Sequence, residues 1–413
     1  MTLHVSEPSA KYLVEAPYKQ TVIGEIPSDW SITSLREATD AARPISYGIV
    51  QTGPNIDGGV PCIRVVDIDN GRLNTTDLIC TSEAISAGYR RTLLQAGDLV
   101  MPLRGKVGDV AEVGAELEGA NLTRGVALLS IRSGIVGSYC RQALAWSSTR
   151  RRLEQAMNGS ALQEIPIAAL RSFQIALPGE EREQRAIATA LSDVDALIAG
   201  LDKLIAKKRD LKQAAMQQLL TGQTRLPGFS GERVVKSLGD IANIKTGSRN
   251  NENKVEDGLY PFFVRSAHVE RINTYSHECE AILVPGEGQI GNIFHYINGR
   301  FDVHQRVYAI TQFIEGVSGQ YIHLFMSQHF GEWAMQNTVK ATVDSLRLPT
   351  FQTFQVQLPP SLEEQTAISA ALSDMDSELI ALESRLAKTR DLKQGMMQEL
   401  LTGRTRLIEI SEK

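Results

Sequence analysis

The chain has 413 residues, of which 42% are hydrophobic and 22% are charged, and its formal net charge at pH 7 is −5. This composition is that of a globular protein with two to four domains, and it excludes disordered and fibrous classes. The acidic net charge argues mildly against a nucleic-acid partner, because neutralising phosphates requires lysine and arginine. The objection is weak, since net charge is a whole-chain sum whereas binding depends on local patches.

Neither targeting nor metal-binding signals stand out in the chain. The N-terminal residues lack a cationic stretch followed by an apolar run, and no window of about 18 apolar residues follows. We therefore expect a cytoplasmic protein. The four cysteines lie apart, without a C-x-x-C pair, which argues against a zinc site and a disulfide framework. We expect buried free thiols at Cys62, Cys80, Cys140 and Cys279.

An internal repeat is the strongest signal in the sequence. Residues 173–226 align with residues 354–407 at a constant offset of 181, without a gap and with 30 identities in 54 positions. The shared landmarks are F-Q-[IV]-x-L-P, E-Q-x-A-I, A-L-S-D-x-D, R-D-L-K-Q, M-Q-x-L-L-T-G and T-R-L. This similarity indicates a duplication.

Each copy predicts a long helix with a coiled-coil seam, since its apolar residues follow a 4-3 spacing. The seam residues are Ile187, Leu191, Val194, Ile198, Leu201 and Ile205 in the first copy and Ile368, Leu372, Met375, Leu379, Leu382 and Leu386 in the second. Prolines 178 and 359 precede the helices, and Gly222 and Gly403 occupy the positions where a glycine ends a helix. Each helix should have about 40 residues and a length of roughly 60 Å. Equal length and register favour an antiparallel pair over the alternative of two independent dimerisation helices.

The segments before the helices resemble each other at their ends, whereas their middles do not align by eye. We expect a mixed α/β fold with two globular heads, each having a twisted sheet with flanking helices. The predicted domains are a lead-in (1–29), a first head (30–172), a first spacer helix (173–226), a second head (227–353), a second spacer helix (354–407) and a tail (408–413). Matching spacers with unlike heads suit a reader of two unlike DNA half-sites about one helical turn, roughly 34 Å, apart.

Several segments also resemble a known family. They are I-G-E-I-P-S-D-W (23–30), Y-G-I-V-Q-T-G (47–53), G-V-P-C-I-R-V-V-D-I (59–68), A-G-D-L-V (96–100), R-G-K-V-G (104–108), Y-P-F-F-V-R-S (260–266) and H-Q-R-V-Y-A-I (304–310). With the two helices, they make nearly the whole chain similar to the specificity subunits of Type I restriction-modification systems. The resemblance implies two target recognition domains that read a bipartite target in double-stranded DNA. It also implies two modification (methyltransferase) subunits as partners and, for cleavage, restriction (motor and nuclease) subunits.

Catalytic motifs are missing from the sequence. We find no [DN]-P-P-[YF] tetrapeptide, no G-x-x-x-x-G-K-[ST] loop, no H-E-x-x-H helix and no G-x-S-x-G elbow. Residues 286–291 do satisfy G-x-G-x-x-G, but the segment after them predicts a strand that ends in a hairpin turn at Asn298-Gly299. A dinucleotide site needs a helix there, and Glu287 would repel phosphate. We therefore expect neither a catalytic residue nor a cofactor nor a metal.

Candidate DNA contacts follow from the donors and acceptors that suit base edges and phosphates. The candidates in the first head are Gln51, Thr52, Arg64, Arg104, Lys106, Thr123 and Arg124, and those in the second are Arg265, Ser266, His268, Gln305 and Arg306. For each of them the alternative is an ordinary surface or structural residue. Arg306 in particular lies in an alternating, strand-like run, which also suits a buried ion pair.

The R-D-L-K-Q motif occurs once in each helix, at residues 209–213 and 390–394. One interpretation is a solvated helical face, and the other is a docking surface for modification subunits. Two further hypotheses for the whole chain remain open. One is a self-contained nuclease or methyltransferase with unfamiliar motifs, and the other is a coiled-coil scaffold that does not bind DNA.

Overall fold

A computed structural model describes residues 17–159, 163–288, 290–337 and 345–407. The chain forms two compact units, of which unit 1 comprises residues 1–200 and 386–413 and unit 2 comprises residues 201–385. Both units therefore contain one head together with parts of both long helices. In the described part of the chain, no helix is long and apolar enough to span a membrane.

Unit 1 consists of short strands and short helices before the first long helix. Its strands are β1 (Tyr18–Thr21), β2 (Gly24–Pro27), β3 (Ser31–Ser34), β4 (Ser46–Tyr47), β5 (Val60–Ile63), β6 (Ile68–Asp69), β7 (Arg72–Leu73), β8 (Ile79–Thr81), β9 (Leu99–Pro102), β10 (Ala111–Glu112), β11 (Asn121–Leu122), β12 (Val126–Leu129) and β13 (Gln174–Leu177). Its helices are α1 (Leu35–Ala38), α2 (Glu83–Ala87), α3 (Gly137–Ala145), α4 (Ser147–Gln155) and α5 (Ile167–Ser172), and α6 (Glu181–Thr221) begins in this unit.

Two sheets position the loops of unit 1 that matter below. One is antiparallel, with strand order β10-β9-β12-β4, and the other has the order β11-β5-β8, in which β11 and β5 are parallel. Strand β13 pairs with β3, so the end of the head returns to its beginning. Buried side chains including Trp30, Leu99 and Tyr139 fill the core.

Unit 2 contains one larger sheet. Its strands are β14 (Val234–Ser237), β15 (Asn243–Thr246), β16 (Tyr260–Phe263), β17 (Glu270–Ile272), β18 (His277–Pro285), β19 (His295–Val303), β20 (Val307–Thr311) and β21 (Gln355–Leu358). Its helices are α7 (Leu238–Ile241), α8 (Gly319–Gln336) and α9 (Leu348–Gln352), and α10 (Leu362–Leu401) begins here. Six strands form the order β15-β20-β18-β19-β16-β17, in which β16 and β19 are parallel. Helix α8 packs on this sheet through buried residues such as Tyr321 and Phe330. The mixed α/β prediction is confirmed.

The two long helices have 41 and 40 residues, as predicted. All of the predicted seam residues are buried or half-buried. Gly222 and Gly403 follow the helix ends with φ angles of 76° and 71°, a left-handed conformation that glycine adopts without a steric penalty. Both spacer helices therefore end where the sequence indicates.

Ion pairs between the helices repeat with the offset of the duplication. In unit 1, Lys393 binds Asp195, and in unit 2, Lys212 binds Asp376. Adding 181 to the numbers of Asp195 and Lys212 gives Asp376 and Lys393. Each helix thus pairs its early aspartate with the late lysine of the other helix, which is an antiparallel arrangement. The antiparallel pair is confirmed over the alternative of independent helices.

The repeated glutamine of each E-Q landmark joins its helix to its head. Gln184 accepts from Val136 N at 2.9 Å and donates to Pro178 O at 3.0 Å. Gln365 accepts from Ser318 N at 2.9 Å and donates to Pro359 O at 3.3 Å. These buried bonds satisfy both ends of each side-chain amide, which gives this landmark a structural role.

Two local predictions need correction. The expected hairpin turn at Asn298-Gly299 is wrong, because both residues lie within β19, where β18 pairs with them through Glu280 and Cys279. The continuous ladder of β18 holds this Asn-Gly pair in an extended conformation. The cysteine prediction holds for Cys62 and Cys140, which are buried, whereas Cys80 and Cys279 are partly exposed. All four are free thiols.

Candidate nucleic-acid interface

In unit 1, the residues that follow four strands meet at one place on the surface. Thr123 N donates to Ile63 O at 3.0 Å, which joins the end of β11 to the end of β5. Leu103 N donates to Gly125 O at 2.8 Å, which adds the end of β9. These bonds bring together Arg64, Arg104, Thr123 and Arg124, four of the predicted DNA contacts.

The segment after β4 completes this group of loops. Arg124 N donates to Ile49 O at 2.8 Å. The approach requires glycine at position 48, since a Cβ atom there would lie 2.0 Å from Leu122 O. Gln51, which lies two residues after Ile49, is exposed. Backbone hydrogen bonds between distant parts of the sequence, together with the close approach at Gly48, therefore hold the strand ends in contact.

Unit 2 contains the same backbone pattern. His304 N donates to Phe263 O at 3.0 Å, and Gly286 N donates to Arg306 O at 2.9 Å. Gln305 N donates to Arg249 O at 2.9 Å. These bonds correspond one by one to the three bonds of unit 1.

A glycine in a close backbone contact and a fourth backbone hydrogen bond also correspond between the two heads. A Cβ atom at Gly247 would lie 2.0 Å from Val303 O, as one at Gly48 would from the equivalent carbonyl of unit 1. Carbonyl oxygens of Leu103 and Gly286 accept at 2.8 Å from Ile165 N and Leu346 N, respectively. The two heads thus share one set of backbone hydrogen bonds and close backbone approaches, here called the backbone frame. Comparison of their sequences by eye does not reveal it.

Equivalent positions in this frame carry different side chains. Arg104 of unit 1 corresponds to Glu287 of unit 2. The next two pairs, Thr123 with His304 and Arg124 with Gln305, keep the offset of 181 found in the helices. The chemistry presented to a ligand therefore differs between the heads, although the backbone beneath it is the same.

A buried polar residue anchors the frame in each head. Asn121 accepts from Leu122 N at 2.9 Å and from Thr92 Oγ1 at 2.7 Å. Asp302 stands at the equivalent position of unit 2 and accepts from Val303 N at 3.0 Å. Both residues are fully buried. Because a buried polar group without a partner is costly, these bonds fix the loops that follow.

The hydroxyl groups of Ser276 and Thr274 also donate to Asp302, as does Arg249 Nε at 3.1 Å. Burial alone would raise the pKa of this carboxyl, but these hydrogen bonds outweigh it and lower the pKa below its usual value. Asp302 is therefore a stable anion beneath the loops of unit 2.

Two of the predicted contacts in unit 1 are cations without a protein partner. The side chains of Arg104 and Arg124 make no hydrogen bond or ion pair with any residue that the structure describes. Arg124 is exposed and Arg104 is partly exposed. A guanidinium without a partner at a surface is available to phosphate or to a base edge.

The other candidates of unit 1 already have partners. Arg64 donates to Asp67 at 2.8 Å and to Asp77 O at 2.7 Å, and Lys106 forms an ion pair with Asp69. The remaining contacts are local: Thr123 Oγ1 donates to Ile63 O at 3.1 Å, and Thr52 O accepts from Thr81 Oγ1 at 2.7 Å. Arg64 and Lys106 are thus bound as in the structural alternative, although Arg64 is partly exposed and Lys106 is exposed.

In unit 2, Arg265 and Arg306 share one carboxylate. Arg306 Nη1 lies 3.2 Å from Glu287 Oε1, and Arg265 Nη1 lies 3.5 Å from Glu287 Oε2. Arg306 is therefore in an ion pair, although not in the buried one of its alternative interpretation. It is half exposed and lies in the turn between β19 and β20, not in a strand.

The remaining candidates of unit 2 surround this group. Gln305 and His268 are exposed, and Ser266 Oγ donates to His268 O at 2.8 Å. His304 is buried beneath them, and its Nδ1 accepts from Arg306 N at 3.0 Å. Burial and the guanidinium groups of Arg265 and Arg306 lower the pKa of His304. A neutral imidazole is therefore part of this turn.

Sequence reasoning missed four residues of these sites. They are the anchors Asn121 and Asp302, together with Arg249 and Glu287. The segments N-L-T-R at 121–124 and D-V-H-Q at 302–305 share the offset of 181 but no identical residue, so the sequence alone gave no signal for the anchors. Glu287 appeared only within the G-x-G-x-x-G segment. That segment leads into β19, so the rejection of a dinucleotide site is supported.

No group of His, Cys, Asp and Glu suited to a metal ion occurs among the described residues. The polar surface instead consists of cations, amides and hydroxyls on loops, with carboxylates paired to several of the cations. Unit 1 places Arg64, Arg104, Lys106 and Arg124 there against Asp67 and Asp69. Of these cations, Arg104 and Arg124 have no carboxylate partner among the described residues, so this surface offers cations to a ligand although the net charge of the chain is negative.

Comparisons with known proteins point to one family. The family model described as "Type I restriction modification DNA specificity domain" matches residues 231–389. The type I restriction enzyme EcoBI specificity subunit of Escherichia coli is 26% identical over 202 residues, which cover 48% of this chain and 42% of that protein. The EcoKI specificity subunit of Escherichia coli K12 is 23% identical over 92% of this chain and 90% of that protein.

A solved structure supports the fold. The S subunit of a Type I restriction-modification system from M. genitalium superposes with a TM-score of 0.61 at 16% identity. The superposition covers 90% of this chain and 96% of that one. The likeness therefore extends over most of both chains.

Proposed function

We propose that this chain, which belongs to the family of specificity subunits of Type I restriction-modification systems, reads a bipartite target in double-stranded DNA. The head at 30–172 reads one half-site, and the head at 227–353 reads the other. The chain itself is non-catalytic, and it directs adenine methylation or DNA cleavage by partner subunits. The family match and the unpaired arginines Arg104 and Arg124 on the loops of unit 1 support this proposal.

The observation that carries the proposal is the shared backbone frame with unlike side chains. A frame that recurs in both heads offers each of them the same approach to a duplex. Arginine favours guanine, whereas asparagine and glutamine favour adenine. Arg124 and Gln305 at equivalent positions therefore suit different bases, and two such heads on one scaffold read two unlike half-sites.

We place the partner subunits on the duplicated spacer, because its two halves can present the same surface to two copies of one partner. Much of the R-D-L-K-Q motif is already used between the helices, where Lys212 and Lys393 form ion pairs. Leu211 and Leu392 of the same motif remain exposed. Two modification subunits, with restriction subunits added for cleavage, are the proposed partners, and the complex would act in the cytoplasm.

The experiment that tests this function is co-expression of the chain with the modification subunit of its own system. Adenine methylation is then mapped across the host genome by single-molecule sequencing. We expect a split motif of two unlike halves around a fixed gap. A control expresses the modification subunit alone, which should leave this motif unmethylated.

Two other results would each favour a different function. A stable complex that adds no methylation would favour a coiled-coil scaffold without DNA recognition. Methylation or cleavage of DNA by the purified chain alone would favour a self-contained enzyme.

A further inference from the structure

Glu287 lies between two exposed arginines in the loops of unit 2. Its two carboxylate oxygens face different guanidinium groups, at 3.2 Å for Arg306 and 3.5 Å for Arg265. The exposed fractions of the arginine side chains are 55% and 46%, whereas that of Glu287 is 23%. The carboxylate is thus the more enclosed member of a group that presents two cations to solvent.

The backbone holds Glu287 in this place. Gly286 N donates to Arg306 O at 2.9 Å, and Leu346 N donates to Gly286 O at 2.8 Å. These backbone hydrogen bonds fix the loop that carries the glutamate to the turn that carries Arg306, and the side-chain contact at 3.5 Å joins Glu287 to Arg265.

The frame itself does not require an acidic residue here. The equivalent position of unit 1 is Arg104, and it carries the same pair of backbone bonds, through Leu103. The role of the glutamate in unit 2 therefore lies in its side-chain contacts, which are the ion pairs with Arg265 and Arg306.

A guanidinium has five N–H donors in a planar fork, and guanine is read by two parallel bonds to O6 and N7. Each arginine uses only Nη1 toward Glu287, so the other donors remain available. An exposed arginine without a partner loses rotamer freedom when it binds a base, whereas one held by a carboxylate has already lost part of it.

We propose that Glu287 is a positioning residue that sets the specificity of unit 2 by orienting Arg265 and Arg306 toward guanine. The inference rests on the proposed function, since it assigns base preference within one half-site. The half-site of unit 2 accordingly contains guanine in one or both strands. Glu287 acts through the arginines and does not itself contact a base.

The test uses the full chain with its modification subunit acting on a library of randomised duplexes. The variant Glu287→Gln keeps the shape of the side chain and removes its charge. The control Glu278→Gln removes the same charge from an exposed ion pair with Arg300 elsewhere in the unit. Arg265→Ala and Arg306→Ala identify the base pairs that the arginines read.

We expect Glu287→Gln to lower discrimination for guanine about tenfold, within the range for one bidentate contact. The affected base pairs should be among those lost in Arg265→Ala or Arg306→Ala, with the other half-site and the Glu278→Gln motif unchanged. An unchanged second half-site in Glu287→Gln would overturn the inference. So would a switch from cytosine to adenine, because it would show direct reading by Glu287. If the wild-type chain gives no split motif, the proposed function fails instead.

Discussion

The guanidinium of Arg406, near the end of the second repeat, donates to the carboxylate of Glu183, near the start of the first, at 2.5 and 2.9 Å. Within unit 2, Arg225 and Glu364 form the equivalent pair, with Nε to Oε1 at 2.9 Å. Adding 181 to Glu183 and Arg225 gives Glu364 and Arg406. The arginine of the T-R-L landmark in each repeat thus pairs with the glutamate of the E-Q landmark in the other repeat.

Replacing Arg406 by alanine should destabilise the chain by about 3 kcal/mol, since it leaves the buried carboxylate of Glu183 without its cation. Urea unfolding measures the loss, and Trp30 is a local probe because its Nε1 donates to Glu183 at 3.2 Å. The control is Arg209→Ala, which removes an exposed pair with Glu383 and should cost at most about 1 kcal/mol. Equal losses in the two variants would show that the Arg406 pair has no special role.

Arg104→Ala should weaken modification directed by this chain about tenfold, because a guanidinium without a protein partner is lost from the loops of unit 1. Assembly with the modification subunit should not change, since Arg104 lies in a head and not on a spacer helix. Methylation rate and complex formation are measured on the same preparations. Arg36→Ala, an exposed arginine on α1, is the control. Intact modification by the Arg104 variant would remove this residue from the interface.

Unit 2 should lose stability as the pH falls below about 6.5, the ordinary pKa of histidine. Burial lowers the pKa of His277, His304, His323 and His329 in the folded chain. A lowered pKa means that the unfolded chain binds protons first. The stabilising contribution is therefore complete above about pH 6.5 and is lost as the pH falls through the folded-state values.

Thermal unfolding at about pH 7.5 and at about pH 5.5 measures this loss. The double variant H323Q/H329Q should show a smaller difference between the two conditions, because two of the four titrating groups are removed. Its melting temperature at the higher pH gives the baseline. The described part of unit 1 contains no histidine. A pH difference that the double variant leaves unchanged would assign the effect to other groups.

The spacer could be predicted from the sequence because its signals are local. Helix period, seam residues and terminal glycines all depend on neighbours within the same helix. The ion pairs of Lys212 and Lys393 could not be predicted from the sequence, since periodicity does not show which residues of two helices face each other. The structure shows that these two ion pairs are related by the offset of the duplication.

The heads were harder to predict, because their frame depends on backbone bonds between residues far apart in sequence. Asn298-Gly299 shows the problem, since a typical turn signal lies in an extended strand that β18 holds in place. Candidate residues were chosen by type, and the structure separates those with protein partners, such as Arg64, from those without, such as Arg104. Glu287 could not be predicted from the sequence, because its contacts are with two arginines from other loops.

The central claim is that two heads with one backbone frame each read their own half-site. Comparing Gly48→Ala with Gly247→Ala tests it most directly, because each new Cβ would lie 2.0 Å from a carbonyl oxygen of the frame in one head only. The strain, about 3 kcal/mol, should displace the reading loops of that head. The complex is used to select DNA from a randomised duplex library. We predict that each variant keeps one half of the wild-type motif and that the two variants keep different halves. Loss of the same half in both, or an unchanged motif in both, would contradict the account.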